Sequence, residues 1–243
     1  MLFALLELVT RAELVNPTYL PPASTILVTA ARILVDPEFL ASVAGTLLAW
    51  AVGMIAAMAI AIPLGLVLGS SRRTYVAAIA AIELLRPIPS VALIPLVILL
   101  LGRGLDMKVV LIAYASVWPI LFNTIYGMRE VDPVARDTAR AFGLGQAAIL
   151  WRVSLPAASP FIYTGIRIAA GIALILAISA ELIAGGGPGI GTWMIANSET
   201  GVPRELLYAA IVVTGLIGLG INTILVVGER RLFGWHQRVR AST

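Results

Sequence analysis

The chain has 243 residues, 60% of them hydrophobic and only 12% charged, where a soluble domain is about half apolar and about a quarter charged. So few charges cannot cover a water-facing surface, which excludes an ordinary soluble protein and points to a polytopic helical membrane protein. There is no cysteine, so disulfides and thiolate metal sites are excluded; the net charge of +4 is read as basic loops that fix topology, with no nucleic-acid partner.

Residues 2–10 are apolar apart from Glu7, and Arg11, Glu13 and Asn16 end the run. The run is short and reads either as the remnant of a first span or as an interfacial helix, with a peripheral role expected. "MLFALLELVT" lacks a basic start and a small-residue cleavage site, so it is not read as a secretory signal. Residues 24–35 predict a short apolar helix closed by Asp36-Pro37. The first full span is 39–69, about 46 Å long at 1.5 Å per residue, so it tilts or protrudes. It ends in "SSRR". Residues 74–102 run back, interrupted by "RPIPS". Pro87 and Pro89 remove two amide donors and break the helix. Such a break survives in a bilayer only where protein or a wet cavity covers the freed carbonyls.

After the polar hinge "GRGLDMK", a third span is expected at 107–127 and a polar stretch at 129–156. A fourth span covers 158–183, the loop "AGGGPGIG" follows at 184–191, and a fifth span covers 203–228. All-α helices of this length, not the short alternating strands of a barrel, fit a bilayer core of about 30 Å. The division is 1–38 for short N-terminal helices and an external linker, 39–232 for the membrane domain, and 233–243 for a basic tail. Alternating the spans puts Arg72, Arg73, Arg129, Arg136, Arg140, Arg152, Arg230, Arg231, Arg238 and Arg240 on one side. Arg103, Lys108, Arg204 and Arg32 fall on the other. The positive-inside rule then makes the first side, with the 129–156 loop and the C-terminus, cytoplasmic. Trp151 and Trp235 sit where interface anchors are expected there.

Within the loop, Asp132-Pro133 reads as an N-cap followed by proline at the first helical position. Val134, Thr138, Ala141 and Phe142 fall on one face of the predicted helix. Arg136, Asp137 and Arg140 lie on the rest. Gly143 is a C-cap candidate. A rod from Pro133 to Phe142 is about 15 Å long, too short to span. Gln146 to Leu155 predicts a second short helix, with Pro156 and Pro160 shaping re-entry. On physical grounds this is either an interfacial loop or a rigid knob for a partner.

"DTARAFGLGQAAILWRVSLPAASP" resembles the cytoplasmic loop of binding-protein-dependent ABC importer permeases. The family pattern is Glu-Ala-Ala, three residues, Gly, nine residues, Ile-x-Leu-Pro. Asp137, Thr138 and Ala139 stand at the first positions, Gly143 at the glycine, Val153 at the isoleucine, and Leu155-Pro156 close it. "LLRPIPSVALIPLVILLLG" and "AELIAGGGPGIGTWMI" are similar to the sulfonate, nitrate and taurine branch. The resemblance implies the type I importer permease fold, with five core spans, a short N-terminal helix and a cytoplasmic coupling helix, in a bacterial inner membrane. It implies a second permease subunit, expected as a homodimer, and two cytoplasmic ATPase subunits gripping Arg136 to Gly145, with Ala141, Phe142 and Leu144 between. It also implies a periplasmic or lipid-anchored substrate-binding protein. ATP and Mg would sit on the partner subunits. Lys108 is the only lysine, so this chain has no Gly-Lys-Ser/Thr phosphate loop, and no cofactor of its own is expected.

Intramembrane ionisable groups mark cavities or partners, which singles out Glu83, Arg86, Arg167 and Glu181 as pathway candidates beside Pro87 and Pro89. Glu83 and Arg86 could instead pair with each other at i,i+3. Arg167 could snorkel or reach Glu83. Arg167 and Glu181 lie about 21 Å apart along one helix and cannot pair. Gly187, Gly189 and Gly191 read either as a turn or, by the resemblance, as an external gate. Span glycines Gly65, Gly69, Gly165, Gly171, Gly215 and Gly220 predict close helix packing. The competing functional class is an ion-gradient-driven carrier or channel subunit, which often carries paired broken helices; only one break is visible. An intramembrane enzyme lacks its nucleophile and base, since the lone histidine is His236 in the tail.

Overall fold

The computed structural model describes residues 7–8, 10–12, 20–199 and 204–240, with side chains described through Phe233. Most of 2–10, and the side chains of Trp235, His236, Arg238 and Arg240, lie outside the described set. Nine principal helices follow among the described residues: α1 (Ala23–Ile33), α2 (Pro37–Ser70), α3 (Arg72–Leu85), α4 (Ile94–Leu101), α5 (Leu105–Arg129), α6 (Pro133–Ala141), α7 (Gln146–Ala184), α8 (Ile190–Glu199) and α9 (Glu205–Arg240). α2, α5, α7 and the Glu205–Phe233 part of α9 are each long and apolar enough to cross a membrane. α3 and the segment Ser90–Leu101 meet the same length and apolarity only together, as a pair bent by 72° at the proline break, and taken as one span they make the fifth. These are the five spans the sequence predicts.

α2, α5 and α7 form the central layer, with a shared core that includes Ala57, Ala61, Ile112, Ile120, Leu121, Ala169, Ala173 and Ala177. The reason lies in α2. Gly45, Ala49, Gly53, Ala57, Ala61, Gly65 and Gly69 recur at every fourth residue and so share one helix face. Along it α5 comes close enough that a Cβ on Gly53 would lie 2.5 Å from Ile112, on Gly65 2.5 Å from Thr124, and on Gly69 2.5 Å from Met128. α5 meets α7 in the same manner, with Gly165 against Asn123 and the Pro119 carbonyl. Small residues let backbones approach where lipid offers no hydrophobic drive to associate. Gly171, Gly215 and Gly220, expected to pack as well, face open space within this chain.

The caps follow the sequence. The Asp36 carboxylate accepts from the Glu38 amide at 3.1 Å, with Pro37 at the first turn of α2. α1 packs on α9 through Ala30, Ile33, Ala209, Ala210 and Val213. Before it, Glu7 accepts from the backbone N–H and hydroxyl of Ser24. The Ser24 amide, its hydroxyl and Arg11 together lower the Glu7 carboxyl to about 2.

The expected second loop helix also differs. Gln146–Leu155 is not a separate helix but the first turns of α7, widened to a π-helix at Leu150–Ser154. A proline removes a donor and crowds the carbonyl four residues back. A π turn just before Pro156 accommodates this without breaking the span.

If the small-residue face sets the layer, Gly65→Leu should destabilise by about 1–3 kcal/mol through overpacking, read as a lower Tm in detergent. Gly220→Leu should leave the Tm near wild type.

Candidate functional site

Span alternation gathers Arg72, Arg73, Arg129, Arg136, Arg140 and Arg152 at one end of the bundle, and Arg103 and Lys108 at the other. The arginine-rich end carries α6. Its start is fixed by Asp132, whose carboxylate accepts from the Val134 amide at 2.9 Å, with Pro133 in the first turn. Its end is closed by Gly143 at φ 77°, where the Gly143 amide donates to Arg140 and the Leu144 amide to Ala139. α6 therefore stops at Ala141, one residue before the expected Phe142.

The face that holds α6 to the bundle is not the apolar one. Ala139 is buried, and Arg136 donates through Nη2 to the Met128 carbonyl at the end of α5. Arg129 beside it stacks 3.8 Å over the Tyr75 ring of α3. Asp137 and Arg140 pair at 2.9 Å on the exposed side. Val134 and Phe142 are 68% and 80% exposed, and Trp151 63%. Thr138, Ala141 and Gly145 are exposed with them. A short rigid helix thus presents an apolar face away from the bundle that holds it. Val153 and Leu155 are half-buried and Pro156 is exposed in the opening turns of α7.

At the proline break Glu83, Arg86, Pro87 and Pro89 are all exposed. Glu83 and Arg86 do not pair. Arg86 lies 4.8 Å over the Phe122 ring of α5. The Leu85 carbonyl at the break accepts from the Tyr114 hydroxyl at 2.7 Å, so protein covers part of the freed backbone, as a bilayer requires.

Arg167 neither snorkels alone nor reaches Glu83. It pairs with Glu229 of α9 at 2.8 Å, and beside it the Tyr163 hydroxyl donates to the Leu225 carbonyl at 2.9 Å. A cavity of about 50 Å³ between α7 and α9 is lined by Arg167, Gly171, Gly218 and Asn222. Glu229 was not singled out in the sequence, because it sits in the charged run "GERR" that closes the last span.

Glu181 takes a different place from the one expected. It is fully buried and faces no open surface. Lys108 Nζ donates to Glu181 Oε1 at 3.0 Å and to the Pro188 carbonyl at 3.0 Å. Thr46 of α2 donates to the same carboxylate at 3.0 Å and accepts from the Ile190 amide at 2.9 Å. The Gly191 amide donates to Glu181 Oε2 at 3.0 Å. Gly187 is exposed at φ 73°, while Gly189 and Gly191 are pressed against Glu181 itself. The loop glycines therefore divide into a turn and a contact. Lys108 and Thr46 gave no sequence signal as partners of a residue so far along the chain.

A layer of close-packed spans, one broken span, and a capped helix standing off one end define a multi-pass helical membrane protein. Residues 61–233 match the family of binding-protein-dependent transport system inner membrane components, and the chain belongs to it. An ABC transporter permease protein of Methanocaldococcus jannaschii is 34% identical over 77% of this chain and 70% of its own length. The taurine transport system permease protein of Escherichia coli is 30% identical over 96% of this chain and 86% of its own. The nitrate import permease protein of Synechocystis is 33% identical over 74% and 64%. The fold matches the inward-facing MetNI methionine ABC transporter at a TM-score of 0.69, with 18% identity, covering 81% of this chain and 98% of that one. The chain is a permease subunit of an ABC importer with the type I fold.

Asp132→Ala should fray the start of α6 by about 1 kcal/mol, the usual cost of an N-cap. Hydrogen exchange of the amides of residues 134–136 should speed up roughly fivefold, while that of α5 stays unchanged.

Proposed function

We propose that this chain forms the pathway of an ATP-driven importer of a small anion of the sulfonate, taurine or nitrate class. The substrate class rests on the taurine and nitrate relatives. The chain acts as one of two identical permease subunits in a bacterial inner membrane. A periplasmic or lipid-anchored binding protein delivers the substrate. Two cytoplasmic ATPase subunits bind ATP and Mg and drive the cycle, and this chain binds no cofactor. The basic end, α6 and the C-terminus face the cytoplasm, in line with the positive-inside rule. The loop 184–191 faces out and serves as the external gate.

The observation that carries the coupling role is the pairing of an exposed apolar face, Val134 and Phe142, with a helix capped at both ends and tied to α5. An apolar patch on a rigid mount marks a protein interface, and here it suits a groove on each ATPase. When ATP closes the ATPase pair, a helix held this way transmits the movement to α5 without bending. The test is co-purification. The wild-type permease should bring down its ATPase subunit. Val134→Asp with Phe142→Asp should remove that subunit while insertion of the permease is unchanged. An unaltered yield of ATPase would defeat the reading, and a carrier driven by an ion gradient would bring down none.

For the anion, the geometry separates two arginines. Arg167 is neutralised by Glu229, so its contribution to a positive field is small. Among the described residues, Arg86 has only the face of Phe122 as a partner. Arg86→Gln should therefore reduce taurine or nitrate uptake several-fold at normal assembly. Arg167→Met should act mainly by loosening α7 from α9, seen as a lower Tm.

A further inference from the structure

The strongest unexplained feature is a buried ion pair that ends in backbone. Lys108 and Glu181 are almost wholly withdrawn from solvent. A desolvated pair adds little net stability over apolar residues of the same volume. Its effect has to be sought in what it touches. Each partner keeps one contact for the other and one for the outer loop. Lys108 Nζ holds the Pro188 carbonyl and Glu181 Oε2 holds the Gly191 amide. Thr46 joins the two sets, donating to Glu181 and accepting from the Ile190 amide. These donors and acceptors come from α5, α7 and α2, so three spans meet at one short stretch of loop.

The glycines show how tight the seat is. A Cβ on Gly189 would lie 2.3 Å from the Glu181 carboxyl carbon. One on Gly191 would lie 2.7 Å from Glu181 Cβ, and one on Gly45 2.3 Å from the Pro188 carbonyl oxygen. The loop is pressed onto α2 and α7 at the same points where the polar network grips it. α8 begins there and is anchored further by Trp193 against Phe39, with ring centroids 4.9 Å apart.

We infer that Lys108 and Glu181 are positioning residues that set the outer loop, and with it the start of α8, relative to α2, α5 and α7. This rests on reading that loop as the external gate. A sliding of α5 against α7 would separate Nζ from Oε1, and because Nζ and the other oxygen of the same carboxylate, Oε2, also hold the loop, its seat would change with the spans. The gate then follows the helices and does not open on its own.

The test uses the permease–ATPase complex in lipid nanodiscs, with two readouts that need no identified substrate. One is hydrogen exchange of the amides of residues 190 and 191. The other is ATP hydrolysis without binding protein. The variant Lys108→Met with Glu181→Leu fills the same space with apolar side chains and should assemble with a Tm near wild type. Exchange at 190 and 191 should rise about tenfold, as befits loss of charge-assisted bonds, and unstimulated hydrolysis should rise several-fold as the gate loosens. The single variant Glu181→Gln keeps an acceptor for the Gly191 amide and should fall between. Wild-type exchange in the double variant, or, where that variant does not assemble, in Glu181→Gln, would overturn the inference. Faster exchange with unchanged hydrolysis would support the positioning role and remove the gate reading instead.

Discussion

The close approach of α2 and α5 is the constraint on which the remaining geometry depends. In lipid the flanking solvent is as apolar as a leucine side chain, so helices associate by packing contact and not by escape from water. α2 supplies that contact with glycine and alanine at every fourth position from Gly45 to Gly69, and α5 lays Ile112, Thr124 and Met128 against its backbone. α7 reaches α5 in turn through Gly165. Once these three spans are in register, their charged groups lie toward the ends of the layer, and in between the Trp50 indole N–H donates to the Ala170 carbonyl at 2.9 Å. The middle holds Ala57, Ala61, Ala169 and Ala173, all buried and none able to hydrogen-bond through a side chain.

This layering explains which parts were legible in the sequence. Hydropathy and loop charge gave all five spans, because a bilayer demands long apolar helices and arginines are costly to move across it. The α6 caps were legible because Asp132, Pro133 and Gly143 act locally, within a turn of their own position. The polar pairings were not legible. The sequence offers Glu181 no partner and Arg167 only Glu83, because their actual partners, Lys108 and Glu229, lie 73 and 62 residues away along the chain. Helix patterning gives a face but not the rotation of one helix against another. The small-residue face of α2 was visible as period-four spacing. Gly65 and Gly69, expected to pack, lie on it, while Gly171 and Gly220 are the same residue type with nothing within 4 Å of an added Cβ, so glycine alone does not mark the face.

The sequence predicts the helix at the arginine-rich end but not the direction its apolar side faces. Amphipathic patterning would put Val134 and Phe142 against the protein or the membrane. The structure turns them away and holds α6 through Ala139 and the guanidinium of Arg136 instead. An arginine can do this because its planar head donates in several directions at once, so one side chain can fix a helix without using its apolar surface. That surface is then left for contact elsewhere.

The two polar ends are joined by one element. α5 begins near Lys108, which holds the outer loop, and ends at Met128 and Arg129, which hold α6 and α3. The intervening stretch is about 30 Å at 1.5 Å per residue, the thickness of the hydrocarbon core. It contains Pro119, yet Gly165 of α7 packs on the Pro119 carbonyl, and the Asn123 side chain donates back to the same carbonyl at 2.8 Å. The Pro119 carbonyl is thus held by the Asn123 side chain and packed by α7, which braces the turn after the proline from outside. A strut fixed at both ends and supported in the middle passes on displacement in preference to absorbing it. On the proposed coupling role, movement applied to α6 would be delivered along α5 to Lys108 and the loop it holds.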